Sequence, residues 1–385
     1  MTQQAQRVAD LDSPLGRQLM ALLRAQPVDD GTALRVTMRL RKEFPAQLVA
    51  DALTQHALRH RAATKFTRAA EMFFTRAGLE QASAEVVAVH RAARFADAIP
   101  VADLCCGIGG DMVGLAARGP VLAVDRDPVH VQLAEHNARA YGVGDRVKAS
   151  VADVREVDLA GVAAVFVDPA RRDERGRTRD VDPPLPWCLG LAEHVPAMAI
   201  KAAPGLPHAA VPAGWEREFV AIGPDLKETT LWSPALAAAP TRATILPGGH
   251  TLLPAPGVPV PLRDPGAYLL DPNPAVTRAG LVAELARALG AGQLDERIAF
   301  LTLDAPVATP FARTLRVLDS GPWREKDLPA WLRRLDIGAV DIRRRGLAGN
   351  VDVLRRRLKL AGSRRATLVM TRVRDQPWAL VCEDV

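Results

Sequence analysis

The first part of the chain places apolar side chains at the spacing of a helix. Leu15, Leu19 and Leu22 recur three to four residues apart, and Asp12-Ser13-Pro14 in front of them is typical of a helix start. The same spacing returns further along, without an alternating run long enough for a strand. Residues 1–95 are therefore predicted to form a helical N-terminal region.

From residue 96 the pattern changes to short apolar runs separated by stretches of helical spacing. The runs that predict strands are 101–104, 121–125, 147–151, 163–167, 198–200, 218–222 and 242–246. Such runs alternating with helices are typical of a parallel sheet. Residues 96–250 are predicted to form an α/β domain with a seven-stranded Rossmann-like sheet, including a short helix at 225–232.

A second α/β domain is predicted after a Pro- and Gly-rich linker at 251–265. It covers residues 266–385. Its predicted helices are 275–289, 328–335 and 351–360, and its predicted strands are 299–303, 312–317, 339–342 and 366–370.

The stretch Val101-Ala-Asp-Leu-Cys-Cys-Gly-Ile-Gly-Gly-Asp111 joins the first predicted strand to a helix through three glycines. Glycines let the backbone turn with positive φ and let a ligand approach the main chain. Met112 stands where a dinucleotide fingerprint needs its third glycine, and the Asp103 carboxylate would repel a pyrophosphate. The pattern instead suits a cofactor with a cationic amino group and a sulfonium, although a tight turn without a ligand is the simpler alternative.

Acids also end the next predicted strands. Asp125 is placed to accept hydrogen bonds from ribose hydroxyls, and Asp153 or its neighbouring backbone is placed to contact an adenine edge. Each acid alone could be a helix cap. Together with Asp103 they predict amine, ribose and adenine contacts in one pocket.

The motif D-x-x-C-G-x-G-G resembles motif I of class I S-adenosylmethionine-dependent methyltransferases, in the variant with Cys before the first Gly. The resemblance implies S-adenosylmethionine as the cofactor. The cofactor-binding residues implied by it and by the strand-end acids are Asp103, Cys105, Cys106, Gly107, Gly109, Gly110, Asp111, Asp125, Arg126, Asp153 and Val154.

The fourth predicted strand ends in Asp168-Pro-Ala-Arg-Arg172. A carboxylate and a main-chain carbonyl that accept the two N–H bonds of an exocyclic amine would favour its nucleophilic form. With an aromatic-Thr element upstream at Phe74-Thr75, the chain resembles the trimethylguanosine synthase and RNA guanine-N2 methyltransferase group. Amino-methylating enzymes usually place an aromatic ring after D/N-P-P, whereas this chain has Ala170 and Arg171.

This resemblance implies that Asp168, Pro169 and Arg171 are catalytic and that Phe74 and Arg172 contact the substrate. The Arg171 guanidinium plane is a candidate to stack on the base. The alternatives are that Phe73 and Phe74 pack under the sheet and that the arginines belong to an exposed, charge-mixed loop.

Basic residues concentrate near the C-terminus. Residues 343–374 contain eleven Lys or Arg and one acid, whereas the whole chain has a net charge of +6. I-x-R-R-G followed by R-R-L-K-L-x-G resembles a THUMP-like domain, which implies RNA as the partner. The predicted RNA contacts are Arg343, Arg344, Arg345, Arg355, Arg356 and Lys359, although a solvated, Arg-biased surface is the alternative.

Composition limits the remaining possibilities. The four cysteines include no C-x-x-C pair, so we expect no metal site and no disulfide framework. The polar N-terminus and the lack of a long apolar run predict a cytoplasmic protein without a membrane span. The sequence thus favours RNA methylation at a base, with an exocyclic amine as acceptor. An RNA-binding protein with a non-catalytic methyltransferase fold, or methylation of a protein or small molecule, remain alternatives.

Overall fold

The structure, a computed structural model, describes residues 3–25, 31–95, 97–171 and 181–385, with only the main chain of Arg171. The chain divides into two compact units. One contains residues 1–215 and 230–238, and the other contains residues 216–229 and 239–385. No helix among the described residues is both long and apolar enough to cross a bilayer.

Within the described ranges 3–25 and 31–95, the N-terminal part is helical, as predicted. The helices are α1 (Gln3–Asp12), α2 (Pro14–Arg24), α3 (Ala33–Leu40), α4 (Ala46–Ala62), α5 (Arg76–Gln81) and α6 (Glu85–Arg94). Ser13 caps α2, because its hydroxyl accepts a hydrogen bond from the N–H of Gly16 at 3.1 Å. Leu19, Leu23 and Leu40 are buried in the shared core of these helices.

A parallel sheet with helices follows in the same unit. Its strands are β1 (Val101–Leu104), β2 (Val121–Asp125), β3 (Val147–Val151), β4 (Ala164–Val167) and β7 (Met198–Ala202), and its helices are α7 (Met112–Ala116), α8 (Pro128–Ala140) and α9 (Leu185–Gly190). Between β4 and β7, β5 (Ala170–Arg171) and β6 (Val181–Asp182) pair antiparallel in a separate two-stranded sheet. Strands pair in parallel from β4 through β1 and β2 to β3, and β7 pairs with β4 on its other side. Because the winding reverses between β1 and β4, their carboxyl ends meet at the usual ligand position of such a sheet.

The apolar runs of β1 and β4 are explained by burial on both faces. Ala102 and Val165 face one apolar core, whereas Val101 and Phe166 face the other. A strand covered on both sides reads as a continuous apolar run. This is why the sequence pattern located these strands.

Four more strands follow along the chain. They are β8 (Glu216–Ile222), β9 (Asp225–Trp232), β10 (Thr241–Leu246) and β11 (His250–Leu252). The sheet that contains them has nine strands rather than the predicted seven. The helix predicted at 225–232 is wrong, because Gly223 with φ +53° turns the chain, and Thr229, Thr230 and the buried Trp232 favour a strand.

The C-terminal α/β part forms a second sheet. Its strands are β12 (Tyr268–Pro272), β13 (Gly292–Asp295), β14 (Ile298–Leu303), β15 (Ala312–Pro322), β16 (Ile337–Arg344), β17 (Arg364–Val373) and β18 (Gln376–Asp384), in the order β13-β14-β12-β15-β18-β17-β16. The helices are α10 (Pro274–Ala279), α11 (Val282–Leu289), α12 (Leu328–Arg334) and α13 (Val351–Arg357). The predicted helix at 275–289 is two helices, because Gly280 at φ +74° ends the first of them. The strands β12, β13 and β18 were not predicted.

Candidate active site

Three acids lie at the carboxyl edge of the parallel strands. Asp103 is in β1 beside Phe166 of β4, and Asp125 is the last residue of β2. Asp168 directly follows β4, and its N–H donates to the carbonyl oxygen of Leu104 at 3.1 Å. The fold therefore brings together carboxylates that are far apart in sequence.

The glycine loop after β1 turns through three residues with positive φ. They are Cys105 (+63°), Gly107 (+53°) and Gly109 (+83°). A Cβ on Gly107 would meet no atom within 4 Å, whereas a Cβ on Gly109 would lie 2.7 Å from the Cε of Met112. Gly107 thus leaves its main chain open on the site side, and Gly109 permits close packing.

Asp103 is the most unusual carboxylate of the site. It is 0% exposed, and neither oxygen has a hydrogen-bond partner among the described residues. Burial raises the pKa of Asp103 to about 7, and the neighbouring Asp168 carboxylate acts in the same direction. A buried carboxylate without a partner is costly, so this position favours a cationic ligand group.

Three other loop residues that the sequence assigned to the cofactor pack inward instead. Cys106 is buried in an apolar core. A Cβ on Gly110 would lie only 3.1 Å from the Cβ of Ala82, and Asp111 forms a buried ion pair with Arg91. These contacts give Cys106, Gly110 and Asp111 a structural role, which spacing alone could not distinguish from ligand contact.

Asp125 has partners on both oxygens. The N–H of Gly107 donates to Oδ2 and the N–H of Asp127 donates to Oδ1, each at 2.9 Å, while Nδ1 of His130 lies 3.5 Å from Oδ1. Burial acts to raise the pKa of Asp125, but the hydrogen bonds from His130 and the backbone hold it below its ordinary value. The hydrogen bond to Asp125 raises the pKa of His130. Asp125 is thus an ionised acceptor at the edge of the site.

A crevice of about 40 Å³ adjoins Asp125. Its lining residues are Cys105, Asp125, Arg126, Ala152, Asp153, Val154, Arg155, Ala170, Asp182 and Pro183. Nη1 of Arg126 lies 2.8 Å from Oδ2 of Asp182, and Arg155 also binds the Asp182 carboxylate. Sequence reasoning missed Asp182 and Arg155, because an ion pair between distant residues has no local pattern.

The carboxylate of Asp153 acts as a cap, which was the simpler alternative for this acid. It accepts a hydrogen bond from the N–H of Arg155 at 3.0 Å and lies 3.2 Å from Nη1 of the same residue. These hydrogen bonds hold the pKa of Asp153 below its ordinary value. The neighbouring Val154 is buried.

Asp168 forms an ion pair that the sequence did not suggest. Nζ of Lys201, near the end of β7, lies 2.8 Å from Oδ2 of Asp168 and donates to the carbonyl oxygen of Gln81 at 3.3 Å. Lys201 is a charged residue in the otherwise apolar strand β7. This was the sequence feature that could have indicated a role at the site. The pair connects α5, β4 and β7 beside Asp103.

Comparison with known proteins gives the family. A family model described as RNA cap guanine-N2 methyltransferase matches residues 99–182, one described as THUMP domain-like matches 312–384, and one for a domain of unknown function matches 4–62. Two proteins of Mycobacterium tuberculosis, from strains CDC 1551 / Oshkosh and H37Rv, are described as S-adenosylmethionine-dependent methyltransferases. Each is 36% identical over 342 residues, which cover 82% of this chain and 90% of the relative. The chain belongs to the S-adenosylmethionine-dependent methyltransferases.

A solved structure has the same fold as this methyltransferase. It is that of a proposed methyltransferase from Porphyromonas gingivalis W83, with a TM-score of 0.73 and 21% identity, covering 94% of this chain and 100% of that chain. The predicted α/β architecture, with its helical N-terminus and its C-terminal THUMP-like part, is confirmed, and S-adenosylmethionine is the cofactor of the family.

The segment before motif I is held by two buried amides. The side chain of Gln55 accepts from the N–H of Phe74 at 3.0 Å and donates to its carbonyl oxygen at 2.6 Å, and Asn137 does the same for Phe73 at 2.8 and 3.1 Å. The Phe74 ring is 1% exposed and lies 6.0 Å from the ring of Phe66. The structure thus shows the packing alternative for Phe74 rather than a substrate contact.

The motif around Asp168 is only partly described. Pro169 precedes β5, whose Ala170 and Arg171 pair with Asp182 and Val181 of β6. The Arg171 side chain and all of Arg172 lie outside the described residues. Their assignment to catalysis and to substrate contact stays a prediction.

Most of the C-terminal cations are neutralised within the second unit of the methyltransferase. Seven of the eleven have carboxylate partners: Arg343 and Arg345 with Asp271, Arg357 with Glu325, Arg364 with Glu383, Arg365 with Asp341, Arg372 with Asp375, and Arg374 with Asp264. All of these acids lie outside residues 343–374, so counting charges within the segment overestimated its basic surface. Arg345 also donates to the carbonyl oxygen of Ala299 at 2.6 Å, which gives it a structural role.

Four of the cations have no carboxylate partner in the described part of the chain. They are Arg344, Arg355, Arg356 and Lys359. All four are exposed, and Arg355 and Arg356 lie in the last turn of α13. They are the exposed cations of this segment whose charge no carboxylate of the described residues offsets.

Proposed function

We propose that this methyltransferase methylates RNA in the cytoplasm, at an exocyclic amine of a base in tRNA or rRNA. The observation that carries the proposal is the Asp168 carboxylate at the winding reversal, beside Asp103, whose oxygens have no hydrogen-bond partner among the described residues. The matches to the RNA cap guanine-N2 methyltransferase and THUMP-like models support RNA as the substrate class.

The residues present fit S-adenosylmethionine. Asp103 would hold the amino group, Asp125 would accept from the ribose hydroxyls, and the open main chain of Gly107 would allow close approach. The adenine would lie at the mouth of the crevice beside Asp153, which is too small to enclose the ring, with Arg126 and Arg155 along its walls. When bound, this cofactor supplies a methyl group already activated on a sulfonium, so a nucleophile on the protein is not required.

The acceptor amine needs orientation, and the proton that its nitrogen loses as it gains the methyl group would leave to water beside the partly exposed Asp168. Oδ1 of Asp168 accepts no hydrogen bond from any described residue, so it is available to one N–H of the amine. Accepting that N–H disfavours delocalisation of the nitrogen lone pair into the ring and turns the lone pair toward the methyl group. Pro169 restricts the backbone that aims the carboxylate.

RNA outside the target base would be held by the cations without carboxylate partners in the second unit. Arg355 and Arg356 on α13, with Arg344 and Lys359, offer contacts to phosphates that do not depend on sequence. The pairing edge of a base in a duplex is not accessible, so we expect the target base in a loop, at an end, or extruded from a helix.

The proposal is tested by transfer of labelled methyl groups to total RNA from a strain that lacks the gene, followed by mass spectrometry of the nucleosides. We expect one base to gain a methyl group on its amine, and RNA from the parent strain to accept little. Asp168→Ala should lose about 10²–10³-fold in kcat yet still bind S-adenosylhomocysteine in calorimetry. Cofactor binding without transfer to any RNA contradicts the proposal.

A further inference from the structure

Lys201 has hydrogen-bonding capacity that the fold does not use. A lysine ammonium carries three N–H donors. One binds Oδ2 of Asp168 at 2.8 Å and one binds the carbonyl oxygen of Gln81 at 3.3 Å. No described residue accepts the third, and the side chain keeps 16% of its surface exposed.

Asp168 has the complementary free group. Its Oδ2 is taken by Lys201, whereas Oδ1 has no donor among the residues that the structure describes, and the side chain is 29% exposed. The ion pair fixes the carboxylate and the ammonium next to each other. The pair therefore presents one hydrogen-bond acceptor beside one donor at the rim of the site.

An acceptor beside a donor matches particular base edges. In adenine and cytosine the exocyclic amine adjoins an unprotonated ring nitrogen on the Watson–Crick edge, and in guanine it adjoins N3 on one side and N1–H on the other. An amine next to a ring nitrogen satisfies both Asp168 and Lys201. The N1–H of guanine, a ribose hydroxyl or a ring carbon leaves one of the two groups unpaired, and a buried unpaired polar group is costly.

We propose that Lys201 and Asp168 together recognise an exocyclic amine with an adjoining ring-nitrogen acceptor. Oδ1 of Asp168 takes the amine N–H, and the third N–H of Lys201 takes the ring nitrogen. Lys201 contacts the base at a non-reacting atom, so it selects the substrate rather than activating the amine. This inference rests on the proposed methylation of RNA bases and names the edge that is read.

The test uses the full-length protein, labelled S-adenosylmethionine and two synthetic RNA oligonucleotides. One contains the nucleotide identified by mass spectrometry, and the other contains its deaza analogue, in which carbon replaces the adjoining ring nitrogen. Wild-type protein should lose about tenfold to hundredfold in kcat/KM on the deaza substrate. Lys201→Met should have a lower kcat/KM than wild type on the natural substrate, and the deaza change should not lower it further. Its affinity for S-adenosylhomocysteine should be unchanged.

Lys148→Met is the matched control, because Lys148 is an exposed lysine on the edge strand β3. It should behave as wild type on both substrates. Wild-type protein that is indifferent to the deaza change overturns the inference without any variant, so poor folding of Lys201→Met cannot mask failure. Full activity of Lys201→Met, or a methyl group on a ribose oxygen, a carbon or N1 of guanine, also overturns it. Transfer to no RNA at all overturns the proposed function itself.

Discussion

Asp103 of the first unit and the cations of residues 343–374 differ in whether their charge has a partner within the fold. Asp103 is fully buried and neither of its oxygens has a hydrogen-bond partner among the described residues, whereas seven of the eleven cations pair with carboxylates from elsewhere in their unit. Most cations in a dense run of charge can thus be paired within the fold, while a single buried acid has no partner among the described residues. A buried charge without a partner is therefore the better indicator of a ligand position.

The largest effects should come from substituting two buried aspartates. Asp111 has an ion-pair partner, whereas Asp103 has no hydrogen-bond partner among the described residues. Asp111→Asn breaks the ion pair with Arg91, and we expect it to lower the free energy of unfolding by about 3–5 kcal/mol. Asp103→Asn removes a carboxylate without a partner, so it should raise the free energy of unfolding by about 1–3 kcal/mol. Thermal or denaturant unfolding of the apo proteins at pH 8 measures both.

Asp103→Asn should at the same time weaken S-adenosylhomocysteine binding by about tenfold to hundredfold, since a charge-assisted hydrogen bond is lost. Calorimetry measures the affinity. Unchanged affinity would show that Asp103 does not contact the cofactor. A loss of stability in Asp103→Asn would show that it has a partner in the apo protein.

A smaller effect should be a change of stability and of cofactor affinity with pH. The pKa of Asp103 is about 7 in the folded protein against an ordinary value of 3.8. Protonated Asp103 therefore stabilises the folded state fully below about pH 4, and this stabilisation is lost as pH rises through 7. A cofactor ammonium prefers the ionised carboxylate, so affinity for S-adenosylhomocysteine should rise between pH 6 and pH 8. The rise should vanish in Asp103→Asn and persist in His130→Gln, which controls for the titration of the histidine beside Asp125.

The smallest effect concerns the C-terminal cations. Removing Arg355 and Arg356 together by alanine should reduce the slope of log affinity for single-stranded RNA against log salt by about 1.4. Arg364 and Arg365, which are paired with Glu383 and Asp341, form the matched control. Their double alanine variant should change the slope less. Equal changes in the two variants would remove the distinction between paired and unpaired cations.

The sequence predicted the features that depend on local spacing. The glycine loop, the strand ends at Asp103 and Asp125, and the helix start at Ser13 all come from residues close together in the chain. The apolar runs located β1 and β4 because both faces of those strands are buried. The helix predicted at 225–232 failed because tertiary burial of Leu231 and Trp232 selects a strand there.

Pairing between distant residues could not be predicted from one sequence. Lys201 meets Asp168 only because β7 lies beside β4, and most of the paired cations of residues 343–374 bind acids that are distant in sequence, such as Asp271 on β12 and Glu383 on β18. The role of Asp111 depended in the same way on its contact with Arg91 in α6. The domain boundaries and the Arg171 contact remain predictions.

A crystal structure of the methyltransferase with S-adenosylhomocysteine tests most directly whether the buried carboxylate without a partner receives the cofactor. We predict that the amino nitrogen of the ligand lies about 3 Å from an oxygen of Asp103, with the ribose hydroxyls on Asp125. A ligand bound elsewhere, with both oxygens of Asp103 still lacking a partner, would contradict this assignment.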